Sequence, residues 1–214
     1  MRTNWISREE NPFFASFLSR NIVLVQAVGI CPIIMAGTTL QNGVALTACT
    51  LAVLLPVSLV MSLWGEKLSP WMRPPLYTML AMGLMVLTAW VLETYVSAEL
   101  YAKLYIFLPL MAVNTLFTYR AGGYSVQHTP PMALLDALGS GLGFGIVICA
   151  VSAMREVLAN GTLWGDPVET SIRFSAASLP AVGFMMLAFM AAALQWLKAG
   201  LSRLADKQRG QNRG

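Results

Sequence analysis

Ile30-Cys31-Pro32-Ile33-Ile34-Met35-Ala36-Gly37-Thr38 and Phe107-Leu108-Pro109-Leu110-Met111-Ala112-Val113-Asn114-Thr115 decide how this chain is read. Each sets a proline inside an apolar stretch and follows it with small and polar residues. With Pro32 laid on Pro109 the two read almost alike, and each opens one half of the sequence. Proline removes a helical hydrogen bond and clashes with the preceding turn, so each site predicts a broken helix. Inside a bilayer, backbone groups freed in this way persist only where protein buries them or where they line a cavity. Matched interruptions in two halves point to a midplane site in a membrane protein built from repeats.

Composition agrees with a bilayer setting. Of 214 residues, 57% are hydrophobic and 11% charged, where a soluble domain carries about 25% charged residues. Windows 21–40, 43–64, 74–92, 104–119, 137–154 and 174–197 contain no Lys, Arg, Asp, Glu or His. Their lengths bracket the roughly 20 residues that a helix needs to span the hydrocarbon core. The short fourth window reads as a broken or partial span. The expectation is an all-α integral membrane protein with six transmembrane helices, the first and fourth broken at Pro32 and Pro109.

Charge sets an orientation. Arg2, Arg8, Arg20, Lys67, Arg73, Arg120, Lys198, Arg203, Lys207, Arg209 and Arg213 fall on one side of the six segments; Lys103, Arg155 and Arg173 fall on the other. Basic residues concentrate in cytoplasmic loops, so both termini are expected in the cytoplasm. The net charge of +4 is then a topology signal, and nucleic acid is not an expected partner. Cys31, Cys49 and Cys149 all lie in or beside apolar spans, which does not describe a disulfide framework.

Residues 1–20 read as an interfacial amphipathic segment, with Phe13, Phe14, Phe17 and Leu18 on one face. Residues 21–97 and 98–200 then form two three-helix halves, and 201–214 a basic tail. Three is odd, so homologous halves would sit in opposite orientations, as an inverted repeat. Gly139, Gly141, Gly143 and Gly145 give small-xxx-small spacing for close helix packing in lipid. Asn160-Gly161 reads as a helix stop and Asp166-Pro167 as a turn.

Few residues could carry chemistry. Cys31 adjoins Pro32 at the expected break, and is either a small packing residue or a metal ligand. Asn114 and Thr115 at the second break, like Thr38 and Thr39 at the first, can satisfy freed backbone groups or contact a bound cofactor or ion. Asp136 and Arg155 read as complements to the dipole of one helix. Glu93, Glu99 and His128 read as solvated. No charge stands in mid-span, and no catalytic constellation is present, so no catalytic residue is assigned.

The run Asn21-Ile22-Val23-Leu24-Val25-Gln26 through Gly29-Ile30-Cys31-Pro32 resembles the opening of RnfE/NqrD family subunits. Ile106-Phe107-Leu108-Pro109-Leu110 with Asn114 resembles them too. So do Leu135-Asp136, Gly141-Leu142-Gly143 and the run from Arg155-Glu156 to Gly161-Thr162-Leu163-Trp164-Gly165, which is similar to the E-type rather than the sister A-type subunit. The likeness covers roughly 20–200. It implies a bacterial inner-membrane subunit of a complex that couples electron flow to Na⁺ or H⁺ movement. Rnf complexes work between ferredoxin and NAD, and Nqr complexes between NADH and quinone. It further implies pairing with the A-type sister around a shared [2Fe-2S] cluster, two cysteines from each subunit. Cys31 matches one of these. Thr115 stands where the family pattern has the other, directly after Asn114, and a hydroxyl is a hard ligand that such clusters rarely accept.

Three functions stay open on the residues. One is an electron-carrying E-type subunit of an Rnf complex. The second is a stand-alone secondary transporter, which broken helices in inverted repeats suit equally well. The third is a redox-silent scaffold of the same complex.

Overall fold

A computed structural model describes residues 23, 29–167 and 174–211 of the chain. The amphipathic segment expected over 1–20, and part of the first apolar window, lie outside the described residues. From Gly29 the chain forms a seven-residue helix α1 (Ile30–Ala36) and a long helix α2 (Leu40–Trp64), and then α3 (Arg73–Val91), which ends in a π turn. Short pieces follow: α4 (Ala98–Leu104), α5 (Phe107–Ala112), α6 (Thr115–Phe117), a π turn over Thr118–Tyr124, and α7 (Ser125–Gln127). Helix α8 (Pro130–Asn160) leads into a two-stranded hairpin, β1 (Thr162–Leu163) with β2 (Asp166–Pro167), and α9 (Pro180–Gln211) closes the described chain.

Three of these stretches are long and apolar enough to cross a membrane: Leu40–Lys67, Arg73–Val96 and Pro130–Asn160. A fourth arises if α4 and Phe107–Phe117, bent by 59° to one another, count as one broken span. The apolar part of α9, Pro180–Trp196, is shorter. The described residues are therefore those of a mostly helical membrane protein with three to four candidate spans.

The breaks do not fall at the prolines. Pro32 and Pro109 each occupy the third position of a short helix, α1 and α5, where a backbone N–H has no partner within its own helix in any case. Each proline therefore sits in a helix's first turn. A proline disturbs the turn before it, through the carbonyl four residues back. For Pro109 that carbonyl belongs to Tyr105, and the bend between α4 and α5 lies there. Ahead of Pro32 the chain passes through Gly29 at φ +79°, a left-handed conformation that glycine adopts without steric penalty. The second interruption of each segment lies beyond the proline, at Gly37–Thr39 and at Val113–Asn114.

Helices α2 and α8 form the centre of the fold, packed antiparallel. A Cβ on Gly141 would run into Leu51, and one on Gly145 into Thr47; one on Gly43 would lie 2.9 Å from Ser152 Oγ. These glycines allow the two backbones to approach closely, which stabilises helix pairs in lipid where no hydrophobic drive separates protein from solvent. At one end of the pair Ser62 donates its hydroxyl to His128 O. His128 is half-buried rather than solvated, its ring stacked on Tyr124 at 3.8 Å. At the other end α8 stops where expected: Gly161 takes φ +65° and its N–H reaches Val157 O. The following turn is Trp164-Gly165, not Asp166-Pro167, since Asp166 and Pro167 pair with Leu163 and Thr162.

Candidate functional site

The two interrupted segments meet beside the middle of α8. A Cβ at Gly29 would lie 3.5 Å from Phe144 Cε2 and 3.6 Å from Asn114 Nδ2. Phe144 is fully buried, near the midpoint of Pro130–Asn160. Helix α1 thus starts at mid-depth and runs outward to Gly37, which lies against Ile148 and Ser152. Asn114 brings the second break to the same depth.

Polar side chains at both breaks are engaged by the backbone. Thr39 Oγ1 accepts Asn42 N at 3.4 Å as the cap of α2, and Asn42 Nδ2 donates to Ala36 O and to Thr38 Oγ1, both at 3.3 Å. Asn114 Oδ1 accepts Leu116 N at 3.5 Å, and the exposed Thr115 donates its hydroxyl to the same oxygen at 3.2 Å. Thr39, Asn42 and Asn114 thus supply partners to backbone groups that a broken helix would otherwise leave without one.

The residues that fix the first break come from far along the sequence. Arg155 is 1% exposed. Its guanidinium donates to Ile34 O at 2.6 Å and Gly37 O at 3.2 Å, at the end of α1. It also donates to Ala177 O at 3.1 Å and Ser178 O at 2.7 Å, in the turn before α9. Glu156 accepts Leu40 N, the first amide of α2, at 2.7 Å, together with Gly165 N at 3.1 Å and the Thr162 hydroxyl at 3.3 Å. The expectation that Arg155 complements its own helix is therefore corrected: its charge is directed at carbonyls of other segments, two of them more than a hundred residues away. Asp136 is corrected likewise. It is the seventh residue of α8, and its carboxylate pairs with Arg120 at 2.8 Å, both groups buried.

Cys31 is exposed, whereas Cys49 is buried and Cys149 half-buried. Among the described residues no three His, Cys, Asp or Glu side chains come together as a metal site. A [2Fe-2S] cluster calls for four soft ligands, generally thiolates. This chain offers one exposed thiol and, at position 115, a hydroxyl already directed to Asn114. The described residues do not fit such a cluster by themselves, and neither the two-plus-two sharing nor any electron step through a cluster can be built on them.

Known proteins are similar along most of this chain. A family model described as "Rnf-Nqr subunit, membrane protein" matches residues 11–191. The E-type subunit of the ion-translocating oxidoreductase complex of Edwardsiella ictaluri is 30% identical over 87% of this chain and 85% of its own length. Its namesakes from Sodalis glossinidius (31% identical, 79% of each chain) and Shewanella amazonensis (34% identical, 73% of this chain and 66% of the relative) are similar in the same way.

Proposed function

Because the chain belongs to the Rnf-Nqr family of membrane subunits, we propose that it serves as the E-type membrane subunit of an ion-translocating oxidoreductase complex. In this reading it lies in the bacterial inner membrane with both termini cytoplasmic, and its two halves, 21–97 and 98–200, are inverted three-helix repeats. Its nearest partner is the A-type sister subunit, and electrons cross the membrane at the junction between the two, coupled to Na⁺ or H⁺ movement.

The observation that carries this reading is the convergence of Gly29 and Asn114 at Phe144. Irregular backbone at membrane depth is tolerated where it meets protein or a cavity, and in this chain two such segments meet each other. Exposure of Cys31 in the first turn of α1 leaves its thiol available to a neighbouring subunit. Any cluster at that junction would draw its remaining thiolates from outside the described residues.

Thr115 favours a second reading, in which the subunit is a redox-silent scaffold. Its hydroxyl completes the Asn114 cap, a purely structural task. Replacement of Cys31 by Ala in the assembled complex separates the two. Loss of electron transfer together with a fall in iron and acid-labile sulfide supports the first reading. Full activity with unchanged iron supports the scaffold.

A further inference from the structure

A groove of about 800 Å³ runs between α2, the last turns of α3 and α4. Its deep walls are Ala45, Ala48, Cys49 and Ala52 on one side and Leu84 and Leu87 on the other. Most polar groups along it are already engaged. Gln41 Nε2 donates to Trp164 O at 3.2 Å, the Thr88 hydroxyl donates to Met85 O at 2.9 Å, and Ser97 Oγ accepts Leu100 N at 3.4 Å. Glu99 and Lys103 differ. Both are exposed at the mouth of the groove, and among the described residues neither has an ion-pair partner.

We propose that this groove seats one zwitterionic phospholipid, with an acyl chain along the alanine wall and its phosphate and ammonium groups at Lys103 and Glu99. Charge complementarity selects the occupant. The site is apolar along its depth and carries one charge of each sign at one end only. Glu99 and Lys103 stand one turn apart on α4, about 6 Å along the helix axis, a span suited to the two charges of a phosphatidylethanolamine headgroup. An apolar helix from a partner, or the uncharged ring of a quinone, would fill the depth and leave both charges unanswered. Trp164 belongs to the same rim, and an aromatic ring at headgroup level is a common membrane anchor. Its φ of +62° is strained for a bulky residue, and the Gln41 and Glu156 hydrogen bonds to the turn hold that conformation.

The test uses the whole complex, purified with its partner subunits from membranes containing phosphatidylethanolamine and phosphatidylglycerol. Wild type is compared with E99Q/K103Q, which removes both charges, and with A48F, whose ring fills the groove and leaves the charges in place. Native mass spectrometry counts the lipids retained after detergent exchange. The expected result is one phosphatidylethanolamine held by wild type, with retention lowered roughly tenfold in E99Q/K103Q and similarly in A48F. Should A48F fail to assemble, E99Q/K103Q decides alone. Equal retention in wild type and E99Q/K103Q overturns the proposal. So does recovery of a quinone or phosphatidylglycerol in place of phosphatidylethanolamine, or an A48C cross-link to another subunit.

Discussion

Arg155 and Glu156 are neighbours in sequence and take opposite ends of one interruption: Arg155 holds the carbonyls that close α1, and Glu156 holds the first amide of α2. The positive group meets the negative end of one helix, and the negative group meets the positive end of the next. The break at Gly37–Thr39 is therefore a fixed corner, with its freed backbone groups answered by side chains of α8. That corner sets where α1 points and so where Gly29 approaches Asn114.

Replacing Arg155 shows how much depends on this. Arg155→Lys keeps the charge but exchanges a planar five-donor fork for a compact ammonium, which cannot serve carbonyls on two segments at once. Loss of two charge-assisted hydrogen bonds should lower stability by roughly 3 kcal/mol, and Arg155→Ala by more. Unfolding of the purified protein in detergent with added denaturant measures both. A Lys variant as stable as wild type contradicts the fork geometry.

Glu156→Ala should act locally at the start of α2. Without the carboxylate, the Leu40 amide loses its acceptor at 2.7 Å. Hydrogen exchange at Leu40 should then speed up by about fivefold or more, on the scale of a lost helix cap worth ~1 kcal/mol or above. Glu156→Gln, which keeps a carbonyl oxygen, should show a smaller change. Unaltered exchange at Leu40 in the alanine variant counts against the cap.

The contact between α2 and α8 can be tested as a pair. Gly145→Ala drives a methyl group into Thr47, and overpacking of this kind costs about 1–3 kcal/mol. Thr47→Ala removes the obstructing atoms, so the double variant should recover most of the loss. A double-variant cycle without coupling would show that the backbones are not held at this separation.

Removing Asp136 should be severe, because Arg120 is buried and two of its guanidinium nitrogens, Nε and Nη2, have no hydrogen-bond partner among the described residues. Asp136→Asn leaves that charge uncompensated at a cost of about 3–5 kcal/mol. The double replacement Arg120→Met with Asp136→Leu should be milder than Asp136→Asn alone. Thermal denaturation of the three proteins ranks them.

Thiol reactivity reports the exposure of α1. Cys31 is exposed and Cys49 buried, so a small lipid-permeable maleimide should modify Cys31 first in the isolated subunit. In the assembled complex, protection of Cys31 is expected if this turn faces the sister subunit. Equal labelling in both forms argues that it faces lipid instead.

Much of the framework is legible in the residues. The charge-free windows at 43–64, 74–92 and 137–154 lie within the three long spans, and 104–119 overlaps the bent pair. The glycine spacing at Gly141 and Gly145 identifies the closest helix contact. The prolines locate the interruptions only to within a turn, because proline acts on the carbonyl four residues before it. The partners of Arg155 were not legible. A basic residue near a helix end suits its own helix dipole, and no local pattern reveals that Ile34 and Gly37, about 120 positions earlier, supply the acceptors. Arg120 and Asp136 are likewise joined across a turn and a loop whose path the sequence does not disclose. Cys31 and Asn114 stand out in the sequence because both lie in the two proline-bearing segments.

A helix of only seven residues is too brief to persist alone in solution, and α1 borrows its order from a segment made much later. During synthesis the anchoring arginine emerges more than a hundred residues after Gly37, so the amino-terminal corner must wait, unfastened, until the fifth apolar stretch has entered the bilayer. Chains truncated before Arg155 should therefore leave the corner at Gly37–Thr39 open to proteases, and extension past Ser178 should close it. Maturation of this subunit would then run from its far end back to its beginning.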